Sequence, residues 1–222
     1  TPETPLLNKR QIIYKFDKAK AAVRRENEVV CFEGYMDVIS AWQAGVKNAV
    51  ASMGTSLTED QIKRIDQFTD HIVLAFDGDD AGLEAIKRSI DFLAEKTHFN
   101  IEIATFPNGL DPDDYIQKHG QKAFNEFLSH GRDTHMSFLM HFHRRDKNLS
   151  NEAEQITYIE EILNKLIHVD SLIEREIYLS QLSEEFNLSL DTLKTQFEVL
   201  LDVAQTKQIN EMKQQQIMRR NE

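Results

Sequence analysis

Ile72-Val73-Leu74-Ala75-Phe76-Asp77-Gly78-Asp79-Asp80-Ala81-Gly82 decides how the rest of the chain reads. Five apolar residues without alternation mark a strand buried on both faces of a parallel sheet. The run ends at two acids spaced i, i+2 around a glycine, and a helical pattern follows. Ligands of open α/β sheets sit at the carboxyl ends of strands, which puts Asp77 and Asp79 where chemistry is done. Two carboxylates so close repel unless a cation lies between them, and a hard divalent metal is the natural guest. A purely structural account covers the same residues: Asp79 or Asp80 caps the next helix, and Asp77 forms an Asx-turn.

Working outward, Val29-Val30-Cys31-Phe32 predicts a strand ending at Glu33-Gly34, and Ala49-Val50-Ala51-Ser52 predicts another. Between them Tyr35, Val38, Ile39 and Trp42 keep helical spacing, with Gly45 as a C-terminal stop. Thr58-Glu59-Asp60-Gln61 is a capping box, with Leu57 and Ile62 at staple positions. A helix from there leads into the strand at 72–76. Leu83, Ile86, Ile90 and Leu93 form one apolar stripe over 81–96, and Ile101, Ile103 and Thr105 alternate as a half-exposed strand. Strand and helix thus alternate four times with short links. That predicts an α/β fold: a parallel sheet of about four strands with flanking helices and right-handed crossovers.

Beyond residue 120 the strand signals stop. Helices are expected over 121–130, 133–145, 151–169, 171–186 and 189–206, forming a small all-α helical subdomain. Leu163, Leu166 and Ile167 supply one apolar face; Leu172, Ile173, Ile177 and Leu179 supply another. The expected divisions are a basic lead-in at 1–26, an α/β domain at 27–120, a helical subdomain at 121–204 and a polar helical tail or linker at 205–222.

With 41% hydrophobic and 28% charged residues, the 222-residue chain has an ordinary globular composition. No apolar run reaches membrane-span length, and Thr1-Pro2-Glu3-Thr4-Pro5 does not read as a signal peptide. The single cysteine, Cys31, can close no internal disulfide, fits a reducing cytoplasm and rules out a multi-cysteine zinc site within these residues. The scattered histidines suggest no metal cluster. A net charge of −11 argues against a generic nucleic-acid coat. Its distribution is uneven, because Lys9, Arg10, Lys15, Lys18, Lys20, Arg24 and Arg25 oppose only Glu3 and Asp17 over residues 1–25. A basic opening beside an acidic body suits carboxylates that hold metal next to a surface that meets phosphate; a solvated helix face would look the same.

Three acidic clusters occupy comparable places: Glu33 after the first strand, Asp77 and Asp79 after the third, and Asp111-Pro112-Asp113-Asp114 after the fourth. If the first and third strands are neighbours, Glu33 and the aspartate pair face one crevice, and a shared metal site accounts for the recurrence. Asp111-Pro112 also reads as an N-cap followed by proline at the first helical position.

Glu33-Gly34 and Asp77-Gly78-Asp79 at strand ends resemble the Toprim fold, shared by bacterial primases, topoisomerases and some nucleases. The surrounding words are narrower. Thr1-Pro2-Glu3-Thr4-Pro5-Leu6-Leu7-Asn8-Lys9, Glu33-Gly34-Tyr35-Met36-Asp37-Val38, Ala51-Ser52-Met53-Gly54-Thr55-Ser56-Leu57-Thr58, Phe76 to Gly82 and Pro107-Asn108-Gly109-Leu110-Asp111-Pro112-Asp113-Asp114 resemble the bacterial replicative, DnaG-type primase family. The resemblance extends from residue 1 to about residue 200.

It implies DNA-templated synthesis of short RNA primers, with single-stranded DNA template and nucleoside triphosphates as substrates. By analogy Asp77 and Asp79 ligate Mg²⁺, with Mn²⁺ able to substitute. Asp111 and Asp113 extend the site, Glu33 is a ligand or the general base, and Lys9 meets the nucleotide phosphates. The family's zinc module and its C-terminal helicase-binding domain are expected to lie outside this chain, which reads as the Toprim and helical part of a polymerase core. The resemblance therefore does not imply autonomous primer synthesis. It does imply a cytoplasmic protein at the replication fork, with no membrane partner. Two other classes use the same residues: Toprim-type phosphodiester cleavage, and a non-catalytic metal- or nucleic-acid-binding module. A dehalogenase-like phosphatase is set aside because Ala81 stands where its hydroxyl residue is expected.

Overall fold

Strand-forming runs and capped amphipathic helices alternate along the first half of the chain, and the computed structural model shows the sheet they build. It describes residues 12–52, 57–96 and 99–221. The strands are β1 (Val29–Phe32), β2 (Ala49–Ala51), β3 (His71–Leu74), β4 (Asn100–Ile103) and β5 (Asp133–Thr134). Their order is β2-β1-β3-β4-β5, with the first four parallel and β5 antiparallel to β4. β1 and β3 are therefore neighbours, as the shared crevice requires. The fifth strand is missing from the sequence reading, which ran a helix from 133, because two residues carry no period.

Helices α1 (Phe16–Glu26), α2 (Tyr35–Gln43), α3 (Glu59–Asp66), α4 (Asp80–Lys96) and α5 (Pro112–His130) cover this sheet. The capping box at α3 forms as the residues dictate: Gln61 N–H donates to Thr58 Oγ1 at 3.3 Å, and Thr58 N–H to Gln61 Oε1 at 3.0 Å. Leu57 and Ile62 are both buried. α5 begins at Pro112, earlier than the expected 121, and is interrupted at Gly120, whose φ of 84° lies outside helical space. Phe124 and Leu128 from its second half pack with Phe32, Val38, Ala75 and Phe106 on one sheet face. α1 is only partly a solvated basic face, since Phe16 meets Phe68 and the Arg24 guanidinium lies over the Phe68 ring.

The amino edge of the sheet carries a charge network that the sequence did not suggest. Arg132, just before β5, donates from Nη1 to Glu28 Oε2 (2.5 Å) and Glu102 Oε2 (2.9 Å), and from Nη2 to Glu28 Oε1 (3.0 Å). His71 Nε2 lies 2.7 Å from Glu102 Oε2. The carboxyl of Glu102 is pushed up by burial, but the Arg132 and His71 hydrogen bonds and charges outweigh this and hold it below its ordinary value. Removing the cation strands two half-buried carboxylates, so Arg132→Ala should cost about 2–4 kcal/mol in denaturant unfolding. Arg132→Lys should restore less than half of that, since an ammonium cannot fork between two acids. Equal stability of both variants and wild type would contradict this role.

The chain divides into two compact units, residues 1–142 and 143–222. α6 (His135–Arg144) ends at the division. The second unit holds α7 (Glu152–Leu166), α8 (Leu172–Phe186) and α9 (Leu190–Asn221). Its core uses Tyr158, Ile162, Leu163, Leu166, Leu179, Leu182, Leu193 and Phe197. Leu172, Ile173 and Ile177 do not join that core: they are 75%, 76% and 57% exposed. The buried face of α8 is Tyr178, Leu179 and Leu182, which lies on the opposite side of a 3.6-residue helix from Ile173 and Ile177. Among the described residues no helix is long and apolar enough to cross a membrane.

Candidate active site

Parallel pairing puts the carboxyl ends of β1, β3 and β4 at one edge, and the ladder runs one residue past them. Ala75 N–H reaches Cys31 O, and Ala104 N–H reaches Leu74 O, each at 2.9 Å. Glu33 follows β1 directly, and Asp77 stands three residues beyond β3. Asp111 arrives after a short loop and a single 3-10 turn at Pro107–Gly109. Two glycines make this edge compact. A Cβ on Gly78 would stand 2.2 Å from Phe106 O, and one on Gly82 would stand 2.2 Å from Asp77 O. Any other residue at 78 would push the loops bearing Asp77 and Asp111 apart.

The capping account of Asp79 and Asp111 is correct as far as it goes. Gly82 N–H donates to Asp79 Oδ1 at 2.8 Å, so Asp79 caps α4. Asp114 N–H donates to Asp111 Oδ1 at 2.7 Å, with Pro112 at the first helical position of α5. Each cap uses one carboxylate oxygen and leaves the second. Capping also does not explain the company these groups keep. Asp77 is pushed up to about 6, by burial first and then by the charges of Glu33, Asp111 and Asp79.

Asp37 belongs to the same field, and sequence reasoning missed it as a site residue. Its carboxyl is buried and accepts from Gly34 N–H at 3.1 Å. It is raised to about 7, by burial first and then by Asp77, with a smaller contribution from Asp111. The available signal was position: an acid three residues after the Gly34 N-cap of α2 folds back over the helix start. With no serine or threonine at the cap, nothing in the sequence advertised it.

Glu33, Asp37, Asp77, Asp79 and Asp111 thus share one electrostatic neighbourhood, and none pairs with a cation among the described residues. Asp113 is held differently. Its Oδ1 accepts from Ser40 Oγ at 2.5 Å and its Oδ2 from Gln117 Nε2 at 2.7 Å, tying α5 to α2. Lys9 lies outside the described residues. A set of hard oxygen donors without a cation fits Mg²⁺ or Mn²⁺ by type. Among the described residues, however, three ligand atoms come within 4.8 Å of one another only at Glu28, His71 and Glu102 on the opposite edge, where Arg132 already bonds both glutamates. Cys31, buried beneath this edge, is an inert thiol pushed up to about 12 by burial.

Two family descriptions match consecutive stretches of the chain: Toprim-like over residues 30–116, and DnaB-helicase binding domain of primase over residues 136–191. A DNA primase of Enterococcus faecalis is 46% identical over 214 residues, covering 96% of this chain and 34% of that protein. The chain therefore spans about a third of the length of the curated relatives it matches. Among solved structures, a DNA primase domain from Pseudomonas aeruginosa aligns with a TM-score of 0.70 at 27% identity, over 87% of this chain and 61% of that one. A DnaG primase catalytic domain bound to ssDNA aligns with a TM-score of 0.71 at 26% identity, over 86% and 61%. Strand-end acids on a parallel sheet serve many phosphate-handling proteins, but these acids followed by this helical unit are narrower, and the chain matches, over nearly its whole length, part of the DnaG-type bacterial DNA primases.

Proposed function

We propose that this chain is the metal- and phosphate-handling part of an enzyme that polymerises ribonucleotides into short primers on a DNA template. One observation carries the reading: five carboxylates that pair with no cation among the described residues share the edge where three parallel strands end. Retaining that much uncompensated charge is costly for a fold with no use for it. Asp77, Asp79 and Asp111 are the proposed holders of Mg²⁺, with Asp37 behind them and Asp113 fixing the helix that brings Asp111. Bound there, the metal would supply charge neutralisation for nucleotide phosphates and the leaving pyrophosphate. Glu33, at the end of the interior strand β1, is placed to complete the ligand set or to take the proton of the attacking hydroxyl.

Single-stranded DNA and nucleoside triphosphates are the proposed substrates, and the ssDNA-bound relative supports the first. A replicative helicase is the proposed partner. The match at 136–191 supports a contact within this chain, whereas the sequence reading placed that contact in a domain outside it. The reading is tested in the full-length polypeptide, where Asp77→Asn should abolish primer synthesis on a single-stranded template and leave template binding intact. Wild-type synthesis by that variant would overturn it.

Asp111 separates capping from ligation within this chain. Asparagine caps about as well as aspartate, so Asp111→Asn should melt near wild type while nucleotide-dependent Mn²⁺ affinity falls. Asp111→Ala should lose both, with a capping loss of about 0.5–2 kcal/mol. If Asp111→Asn binds Mn²⁺ and nucleotide as wild type does, Asp111 is a cap alone.

A further inference from the structure

The acid edge has an apolar neighbour that neither capping nor metal binding uses. Tyr35 and Met36, the first two residues of α2 after Glu33-Gly34, are 51% and 50% exposed. They sit one and two residues beyond the turn that carries Glu33, so their backbone lies within about 10 Å of it. Tyr35 is braced by a second ring. The Tyr14 ring meets it edge-on, with centroids 6.1 Å apart and planes at 66°. Tyr14 is fixed in turn by a two-bond bridge to β2: Tyr14 N–H to Ala51 O at 2.9 Å, and Ala51 N–H to Tyr14 O at 3.3 Å. A half-exposed ring braced edge-on by an anchored second ring, with the half-exposed Met36 next to it in the chain, leaves aromatic surface free for stacking. Neither residue is needed for α2, whose buried positions are Asp37, Val38, Ser40 and Ala41.

We propose that Tyr35, braced by Tyr14 and flanked by Met36, is a positioning residue that stacks the nucleobase of a nucleotide whose phosphates face Asp77, Asp79 and Asp111. The inference rests on reading those acids as a metal–phosphate site. The chemistry divides naturally. Carboxylates and a divalent cation can recognise only phosphates, which are the same in every nucleotide. A templated polymerase needs base affinity without base choice, because pairing with the template makes the choice. An aromatic face provides this, since every base has a π-face.

Calorimetry on this chain with Mn²⁺ tests the assignment, using ATP, CTP and inorganic tripolyphosphate as probes. Wild type should bind ATP more tightly than tripolyphosphate, and Tyr35→Ala should remove that advantage, lowering ATP affinity about five- to one-hundred-fold. Tripolyphosphate affinity should stay within twofold, Tyr35→Phe should keep the ATP advantage, and CTP should lose less than ATP. If Tyr35→Ala leaves ATP affinity unchanged, the platform is wrong while the acid site stands. If the variant weakens ATP and tripolyphosphate equally, Tyr35 supports the turn at Glu33 and does not stack. Failure of wild type to bind tripolyphosphate with Mn²⁺ removes the phosphate reading itself, and the platform falls with it.

Discussion

Asp79→Asn should lower the Mn²⁺ affinity of this protein by about a hundredfold or more while its melting temperature stays within a few degrees of wild type. The separation is possible because Asp79 has two employments. One carboxylate oxygen caps α4 through the Gly82 N–H, and an asparagine oxygen accepts that bond equally well. The other oxygen carries charge toward Asp77, and asparagine removes it. Changing a group one bond removed from a metal costs 10–100-fold in affinity, so loss of a direct ligand should cost at least as much. Asp79→Ala would instead mix the metal loss with a capping loss of about 1 kcal/mol. Calorimetric titration of Mn²⁺ decides, with His71→Ala as the paired control. Binding that survives in Asp79→Asn and disappears in His71→Ala would move the cation to the Glu28, His71 and Glu102 group on the opposite edge.

The sheet was legible because its central strands are short unbroken apolar runs and its helices announce themselves with caps. Thr58 and Gln61, Asp111 and Pro112, and the stripe through Leu83, Ile86, Ile90 and Leu93 are local signals that tertiary context did not override. Strand β5 was not legible, since its two exposed residues are defined by pairing with Glu102 and Ile103. Nor was the direction of α8 readable from composition. Leu172, Ile173 and Ile177 look like a core face, yet the face that packs is set by where α9 lies, and it holds Tyr178, Leu179 and Leu182.

The acid cluster was partly readable for a similar reason. Glu33, Asp77, Asp79 and Asp111 stand at strand or helix ends, where position in the sequence implies position in space. Asp37 stands inside the first turn of a helix, and only folding reveals that its carboxyl turns back under the cluster. Arg132 and Glu28 are 104 residues apart, and no local pattern connects them.

Burial of Asp37 and Asp77 among like charges makes stability depend on pH in an unusual direction. Asp37 rises from 3.8 to about 7 and Asp77 to about 6. Below about pH 4 both are protonated in the folded and unfolded chain alike. Between pH 4 and pH 7 the folded state keeps protons that the unfolded state has released, so each step up in pH favours unfolding. By about pH 8 the loss is nearly complete. Glu102, lowered in the fold, acts in the opposite sense, but its contribution is fully gained by about pH 5. From pH 5 to pH 8 the acid cluster therefore works against the fold.

For Asp37 alone the preference corresponds to roughly 4 kcal/mol at most. Asp77 adds less, because it is only half-buried. In EDTA the melting temperature of the first unit should fall by on the order of 5–10 °C from pH 5 to pH 8. Asp37→Asn, which keeps an acceptor for the Gly34 N–H, should flatten that slope and melt above wild type at pH 8. Saturating Mn²⁺ should restore wild type at pH 8 far more than at pH 5, since the cation binds the ionised carboxylates of the folded state. A flat profile in EDTA from pH 5 to pH 8 would show that these carboxylates are already compensated within the protein. In that case the repulsion that calls for a cation at this edge does not exist.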